Sequence, residues 1–253
     1  MSSPMGGSDL PIDPPEHAGS PLTGSDLPID RPERTAASPS GSAPNVGPID
    51  HVVTSGTFSL DGGTWEVDNN VWIVGDENEV LVVDAAHDLE RIAFAIGGRR
   101  VVAIVCTHAH DDHVNQAPAL SDRFDAPVYL HPAEAPLWAM AHPDRSPDHD
   151  LCDGDVLTAG GIELQVITTP GHSPGSSCLY VPELGTVFTG DTLFQGGPGA
   201  TGRSFSSFET IIDSIRTRLL TLPGDTAVRT GHGDPTSIGA ELPHLEEWIV
   251  RGH

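Results

Sequence analysis

Between Val101 and Gln116 the chain reads VVAIVCTHAHDDHVNQ, an apolar run rich in β-branched residues that ends in three histidines and two aspartates within six positions. The first half has the composition of a buried strand. The second half is costly to bury bare, because imidazoles and carboxylates crowded together lose hydration without gaining partners. Together these two side-chain types suit zinc, iron or manganese, and the lack of a thiolate among them argues against a closed structural zinc site.

Three further apolar runs end the same way. Leu164 to Ile167 leads into TTPGH and His172, Thr186 to Phe188 into TGD and Asp191, and Thr226 to Arg229 into TGHG and His232. If these strands share a sheet direction, their polar ends converge at one edge. His108, His110, His172 and Asp191 can then hold one ion, while Asp112, His113, His232 and the second oxygen of Asp191 hold another, with room for a bridging water. A lone histidine is more often structural than a ligand, and His131, His142, His149 and His244 are read as structural.

Around these exits, TFSL, NNVWIVG and EVLVVDAA read as strands separated by the turn signals DGG and GDENE. PVYL, IELQVITTP, SCLYVPE, TVFTGD and TAVRTG read as further strands. HDLERIAFAIGG, VNQAPALSDRF, AEAPLWAMA, SFETIIDSIRTRLLTL and LPHLEEWIV carry helical signals, and HPDRSPDHDLCDGD reads as a polar loop near the site mouth. Strand-rich halves that each end in helices predict a layered α/β fold. Residues 1–48 stand apart, with ten of the 23 prolines and no aromatic residue. They have too little apolar surface to offset the entropy of ordering, which predicts a disordered Pro/Gly/Ser-rich tail and one folded domain over 49–253. The tail repeats GSDLPID at Gly7 to Asp13 and Gly24 to Asp30, as a tandem duplication would.

Charge excludes some partners. The chain has 36 acidic residues against 12 basic ones, every basic one an arginine, and 30 against 10 once residues 1–48 are set aside. Such a surface repels phosphate backbones, so no nucleic-acid partner is expected. No 18-residue apolar run and no signal-peptide pattern occur, which predicts a cytoplasmic protein without a membrane partner. Cys106, Cys152 and Cys178 are widely spaced and form no C-x-x-C pair, and Cys106 and Cys178 read as inert thiols inside strands. The expected partner is a small-molecule substrate, with the oligomeric state open.

THAHDDH, GHSPGS, FTGDTLF and GHG, in that order, resemble the metallo-β-lactamase superfamily over about residues 52–240. The segment from Gly199 to Gly239 looks most like the short, single-domain branch related to glyoxalase II, the hydroxyacylglutathione hydrolases. The resemblance implies a four-layer αββα sandwich with two divalent ions, zinc first and iron or manganese next, at one edge. It assigns His108, His110 and His172 to one ion, Asp112, His113 and His232 to the other, and Asp191 to both. Asp112 is also given the catalytic role, Asp111 falls on the motif's variable position, and Asp84 matches a further Asp beside the site. The implied reaction is attack of a metal-bound hydroxide on a thioester, the S-acyl conjugate of a low-molecular-weight thiol.

Two departures bear on the substrate. Glyoxalase II proper carries a C-terminal helical domain with basic and tyrosine contacts to glutathione, whereas this chain ends soon after His232 and has no lysine, so a thiol other than glutathione, mycothiol among the candidates, is expected. Relatives commonly carry Asp two residues after the Gly-Arg pair where this chain has Phe205; Arg203 either faces a substrate carboxylate or fixes its loop. Trp138 and its neighbours, with the loop up to Asp155, are expected as apolar pocket walls. The alternatives are a persulfide dioxygenase, with one iron on His108, His172 and Asp191, and a non-catalytic metal-binding scaffold module.

Overall fold

The structure, a computed structural model, describes residues 48–252. The tail expected over 1–48, with its GSDLPID repeats, lies outside the described residues apart from Pro48. Two six-stranded sheets are stacked face to face. The first runs β1 (Ile49–Leu60), β2 (Gly63–Gly75), β3 (Glu79–Val83), β4 (Arg100–Val105), β5 (Val128–Leu130) and β6 (His149–Asp150), in chain order across the sheet. The second runs β7 (Val156–Ala159), β8 (Ile162–Thr168), β9 (Ser177–Val181) and β10 (Thr186–Gly190), and, after a short ribbon of β11 (Leu193–Phe194) and β12 (Gly197–Pro198), continues through β13 (Ala227–Thr230) to the edge strand β14 (Thr236–Ser237).

Helices cover both outer faces. On the first sheet lie α1 (Leu89–Ile96), α3 (Ala117–Phe124) and α4 (Ala135–Ala141), with the single turn α2 (Asp111–Val114) leading into α3; on the second lie α5 (Phe208–Ser214), α6 (Ile238–Glu241) and α7 (Leu245–Arg251). The crossovers through α1 and α3 make β3, β4 and β5 parallel. The period-2 alternation of β3 shows how the layers are glued. Val80 and Val82 face the helical layer with Ile92 and Ile96, while Leu81 and Val83 face the second sheet with Leu164, Leu179 and Phe188. Each such side chain contributes about 1.5–3 kcal/mol on burial, and strands buried on both faces read as continuous apolar runs. The expected αββα sandwich is the observed architecture.

Several elements differ from their sequence reading: β6 lies within the stretch expected as a polar loop, and β7, β11, β12 and β14 are strands beyond those expected. β1 starts at Ile49, well before TFSL, because its register with β2 runs from Ile49 opposite Val74 to Leu60 opposite Gly63. Only alternate residues such as Val52 and Thr54 turn inward, so IDHVVTSG lacks an apolar signal. The helix expected over SFETIIDSIRTRLLTL is α5 followed by a π-turn at Ile215–Leu219, where the Leu220 N–H reaches the Ile215 carbonyl at 2.9 Å. No helix among the described residues is long and apolar enough to cross a membrane.

Strand direction sets the site. β8 and β10 both run antiparallel to β9, and β13 runs parallel to β10, so β8, β10 and β13 end at one edge of the sandwich. β4 of the facing sheet delivers its polar exit to the same place.

Candidate metal centre

Past Val105 the chain leaves β4 through Cys106 and Thr107, then carries His108 and His110 in an extended loop. His110 is the N-cap of α2 with φ −64° and ψ 143°, so Asp112 and His113 follow on the first helical turn. All four side chains are buried. His172 follows β8, Asp191 follows β10 and His232 follows β13. Glycine before each of these three residues is a packing requirement, a Cβ on Gly171 falling 2.2 Å from the Ile211 backbone nitrogen. A Cβ on Gly190 would stand 2.3 Å from Thr107 Oγ1, and one on Gly231 would stand 2.3 Å from Asp191 Oδ1.

Two triads result. His110 Nδ1 lies 3.1 Å from His108 Nε2 and 3.0 Å from His172 Nε2. His113 Nε2 and His232 Nε2 lie 3.1 Å apart, and His232 Nε2 is 3.3 Å from Asp112 Oδ2. Asp191 stands between the triads, with Oδ2 3.5 Å from His172 Nε2 and 3.4 Å from His232 Nε2, and Oδ1 3.4 Å from His113 Nε2. Donors about 2.0–2.1 Å from a tetrahedral ion stand roughly 3.3–3.4 Å from one another, close to the observed spacing. Asp112 Oδ1 and Asp191 Oδ1 are buried without a hydrogen bond from protein. The donor set therefore fits a pair of divalent ions.

The far side of four of the five rings is engaged, whereas His110 turns Nδ1 inward and its buried Nε2 has no protein partner among the described residues. His108 Nδ1 meets Thr107 Oγ1 at 3.1 Å, His113 Nδ1 the Asp84 carboxylate at 3.0 Å, His172 Nδ1 the Ala200 carbonyl at 2.9 Å and His232 Nδ1 the Asp68 carbonyl at 2.7 Å. Such partners fix the tautomer and aim Nε2 inward. Asp84, with φ 56°, also accepts the backbone N–H and the hydroxyl of Thr107 at 2.7 and 2.8 Å, so it braces the exit from β4.

The triads differ electrostatically. Burial, reinforced by neighbouring imidazoles, holds His108 well below the ordinary histidine range and His110 at about 3. Burial also disfavours charge on His113 and His232, but Asp112 and Asp191 outweigh it, raising His113 well above its ordinary value and His232 to about 10. Burial raises Asp191 less than His232 and His113 lower it, and its carboxyl is held well below the usual range.

Several contributors carry no signal of their own in the sequence. Asn69 donates from Nδ2 to Asp112 Oδ2 at 3.1 Å and receives His87 Nε2 at its own Oδ1 at 2.8 Å. Asn70 donates to the carbonyls of Thr230 and Gly233 at 3.1 and 2.9 Å, clamping the loop of His232. Fully buried Glu134 accepts the N–H of Ala109 at 2.8 Å and of Gly175 at 2.6 Å, tying the two loops that carry His108, His110 and His172. Polar residues on a strand or at the start of a helix are too common to be singled out without their partners.

His110, Asp112, His172, Asp191 and His232 form the floor of a cavity of about 200 Å³, with Phe58, Trp65 and Arg203 on its wall. The cavity corrects one expectation. Trp138 is 3% exposed, packs in the helical layer over the first sheet, and donates its indole N–H to the Arg145 carbonyl at 2.6 Å. Short α4 turns Leu137 and Trp138 inward and Met140 outward, so the apolar wall comes from the β1–β2 hairpin instead. Asp111 accepts the Ser59 N–H at 3.0 Å and lies outside both triads. His131, His142, His149 and His244 also lie outside them; His142, for example, pairs with the Val114 carbonyl.

A model of the metallo-beta-lactamase superfamily matches residues 64–232. The probable metallo-hydrolase YqgX of Bacillus subtilis (strain 168) is 36% identical over 186 residues, covering 68% of this chain and 88% of its own. The hydroxyacylglutathione hydrolase GloC of Haemophilus influenzae is 32% identical over 181 residues, 66% of this chain and 85% of its own. Among solved structures, TTHA1623 in a di-iron-bound form is 32% identical with a TM-score of 0.63, covering 75% of this chain and 97% of that one. The BLEG-1 B3 metallo-beta-lactamase is 30% identical with the same TM-score of 0.63, covering 76% and 98%.

Proposed function

This chain belongs to the metallo-beta-lactamase superfamily, and from that premise we propose that it is a dinuclear metal-dependent hydrolase of thioesters, glyoxalase II-like, acting on S-acyl conjugates of a low-molecular-weight thiol such as mycothiol. The observation that carries the reading is the pair of triads with Asp191 between them, on the floor of one cavity. His108, His110 and His172 would hold one ion, Asp112, His113 and His232 the second, and Asp191 both. Zinc is the proposed metal, and a divalent ion there supplies a water of pKa about 7 and an electrophile for a carbonyl oxygen.

The protein's own groups do the rest. Asn69 occupies Asp112 Oδ2, which leaves the buried Oδ1 to orient the attacking water and take its proton. Phe58 lies with its ring 5.0 Å from that of His110 and, with Trp65, keeps the approach to the floor apolar. Among the described residues, every carboxyl and imidazole lining the cavity belongs to a triad or is Asp191, so no dedicated acid outside the ligand set stands beside a poor leaving group. A thiolate leaves without a proton, which supports a thioester over an amide. The name of the Haemophilus relative points the same way.

The persulfide dioxygenase reading uses one iron, on His108, His172 and Asp191, and gives no ion to Asp112, His113 and His232. Thiol release from an S-acyl substrate under argon, with metal content measured on the same sample, tests the proposal. Two ions and oxygen-independent cleavage support it; a metal-loaded protein that cleaves no thioester contradicts it.

A further inference from the structure

Cations are scarce in this chain, and the arginines are mostly spoken for. Arg99, Arg100, Arg123, Arg145, Arg216 and Arg218 each hold a carboxylate. Arg203 does not. Asp61 feels its charge, but among the described residues no carboxylate lies within salt-bridge reach of Arg203, and its guanidinium N–H groups have no acceptor. The guanidinium carbon instead sits 3.9 Å from the Trp65 ring centre and 5.1 Å from that of Phe58. Trp65 is itself seated, since a Cβ on Gly63 would fall 2.1 Å from the indole.

Fixing its own loop is not what the side chain does. Ser206 Oγ accepts the N–H groups of Gly202 and Arg203 at 2.9 and 3.2 Å and donates to the Arg203 carbonyl at 2.7 Å, while Asp61 accepts the Ser204 N–H at 3.0 Å. The loop is tied by these bonds, and the planar fork of the guanidinium is left facing the cavity. The Phe58 ring centre lies 5.1 Å from the guanidinium carbon and 5.0 Å from the His110 ring centre, so one ring separates the fork from the floor.

Resting on the hydrolase reading, we infer that Arg203 anchors an anion of the substrate, so that the thioester cleaved here carries a carboxylate. A guanidinium on an aromatic platform presents parallel N–H donors that match a carboxylate in two-point contact. Among the described residues Arg203 is the one arginine lining the cavity, set apart from the metal floor, which suits a single anionic group at this wall. A cavity of about 200 Å³ is smaller than sites that enclose whole drug-sized ligands, so one end of the substrate projects past Arg203 into solvent.

The carboxylate could belong to the acyl group or to the thiol, and two matched pairs separate these sources. On the zinc-loaded full chain, kcat/KM is compared for the S-glutaryl and S-valeryl esters of N-acetylcysteamine, and for the S-acetyl esters of 3-mercaptopropionate and N-acetylcysteamine. We expect the carboxylated member of one pair to be favoured by about tenfold or more. That ratio should collapse toward one in Arg203→Gln and fall in Trp65→Leu. No preference in the unaltered protein, or a preference kept in both variants, overturns the inference. Trp65 is 42% exposed while Trp72, Trp138 and Trp248 are at 3% or less, so tryptophan fluorescence reports on this wall. If no thioester is cleaved, the hydrolase reading falls and a glutarate titration still decides. Saturable quenching that weakens about tenfold in Arg203→Gln supports the anchor, and equal response in both proteins, or none, overturns it.

Discussion

Asp191 is the side chain on which both triads depend, since its two oxygens reach His172, His113 and His232. Asp191→Ala and His172→Ala are each expected to lower metal content and turnover together, turnover by more than about 100-fold, because loss of mere support to a ligand already costs about 10–100-fold. His131→Ala is expected to retain both. Full metal occupancy in Asp191→Ala would show that other residues build the site. Protonation should separate the triads. His110, at about 3, accepts no proton until strongly acid pH, whereas the His113–His232 pair, raised by Asp112 and Asp191, holds a proton across the neutral range unless an ion displaces it. The raised pair stabilises the ion-free fold fully below about pH 6.5, and that contribution fades as pH rises toward 10. The depressed His110 acts oppositely, costing the fold stability as pH falls from about 6.5 to 3. Metal binding competes with protons, so acidification should remove the ion of Asp112, His113 and His232 first. Metal per chain against pH is expected to fall from two to one to none, and loss of both ions at one midpoint would contradict the difference. At this scale HAHDDH, His172, Asp191 and His232 were legible because titratable groups at strand exits are rare. Asn69, His87 and Glu134 were not, since a polar residue announces its role only through a partner distant in sequence.

Among the elements, loops rather than strands aim the ligands, and Glu134 is where two of those loops are locked. Replacing it with Gln keeps the shape and removes one acceptor, leaving the N–H of Ala109 or Gly175 buried without a partner at a cost of about 1–3 kcal/mol. Glu134→Gln is therefore expected to lower the unfolding midpoint and to weaken metal binding at His108, His110 and His172. Unchanged metal affinity would mean the loops hold their shape unaided. Elements with apolar faces were readable: β2, β3, β4, β8 and β10 are continuous or alternating apolar runs. The start of β1 was hidden because an edge strand needs few apolar residues, and the π-turn after α5 because it leaves the amphipathic pattern nearly intact. The wall of the cavity was misplaced for a related reason. An aromatic residue on a short helix, Trp138, and one on a hairpin, Trp65, look alike until the sheet decides which is covered.

For the whole molecule, two sheets that bury each other's faces leave their edges for chemistry, and the direction of β8, β10 and β13 decides which edge receives it. Layer order follows from the alternation of elements and could be anticipated; the placement of Phe58 and Trp65 beside the metal floor depends on how the β1–β2 hairpin bends, which no local pattern encodes. The core clusters are built from residues between Ile49 and Trp248. We propose that a truncated chain beginning at Ile49 unfolds cooperatively and keeps its turnover; a broad, non-cooperative transition would move the domain boundary. The central claim, two ions serving a hydrolytic site, is tested most directly by metal analysis of the active protein alongside an oxygen electrode during turnover of an S-acyl substrate. Two ions per chain with thiol release and no oxygen uptake is the predicted result. One iron per chain with oxygen consumed in step with substrate would contradict it.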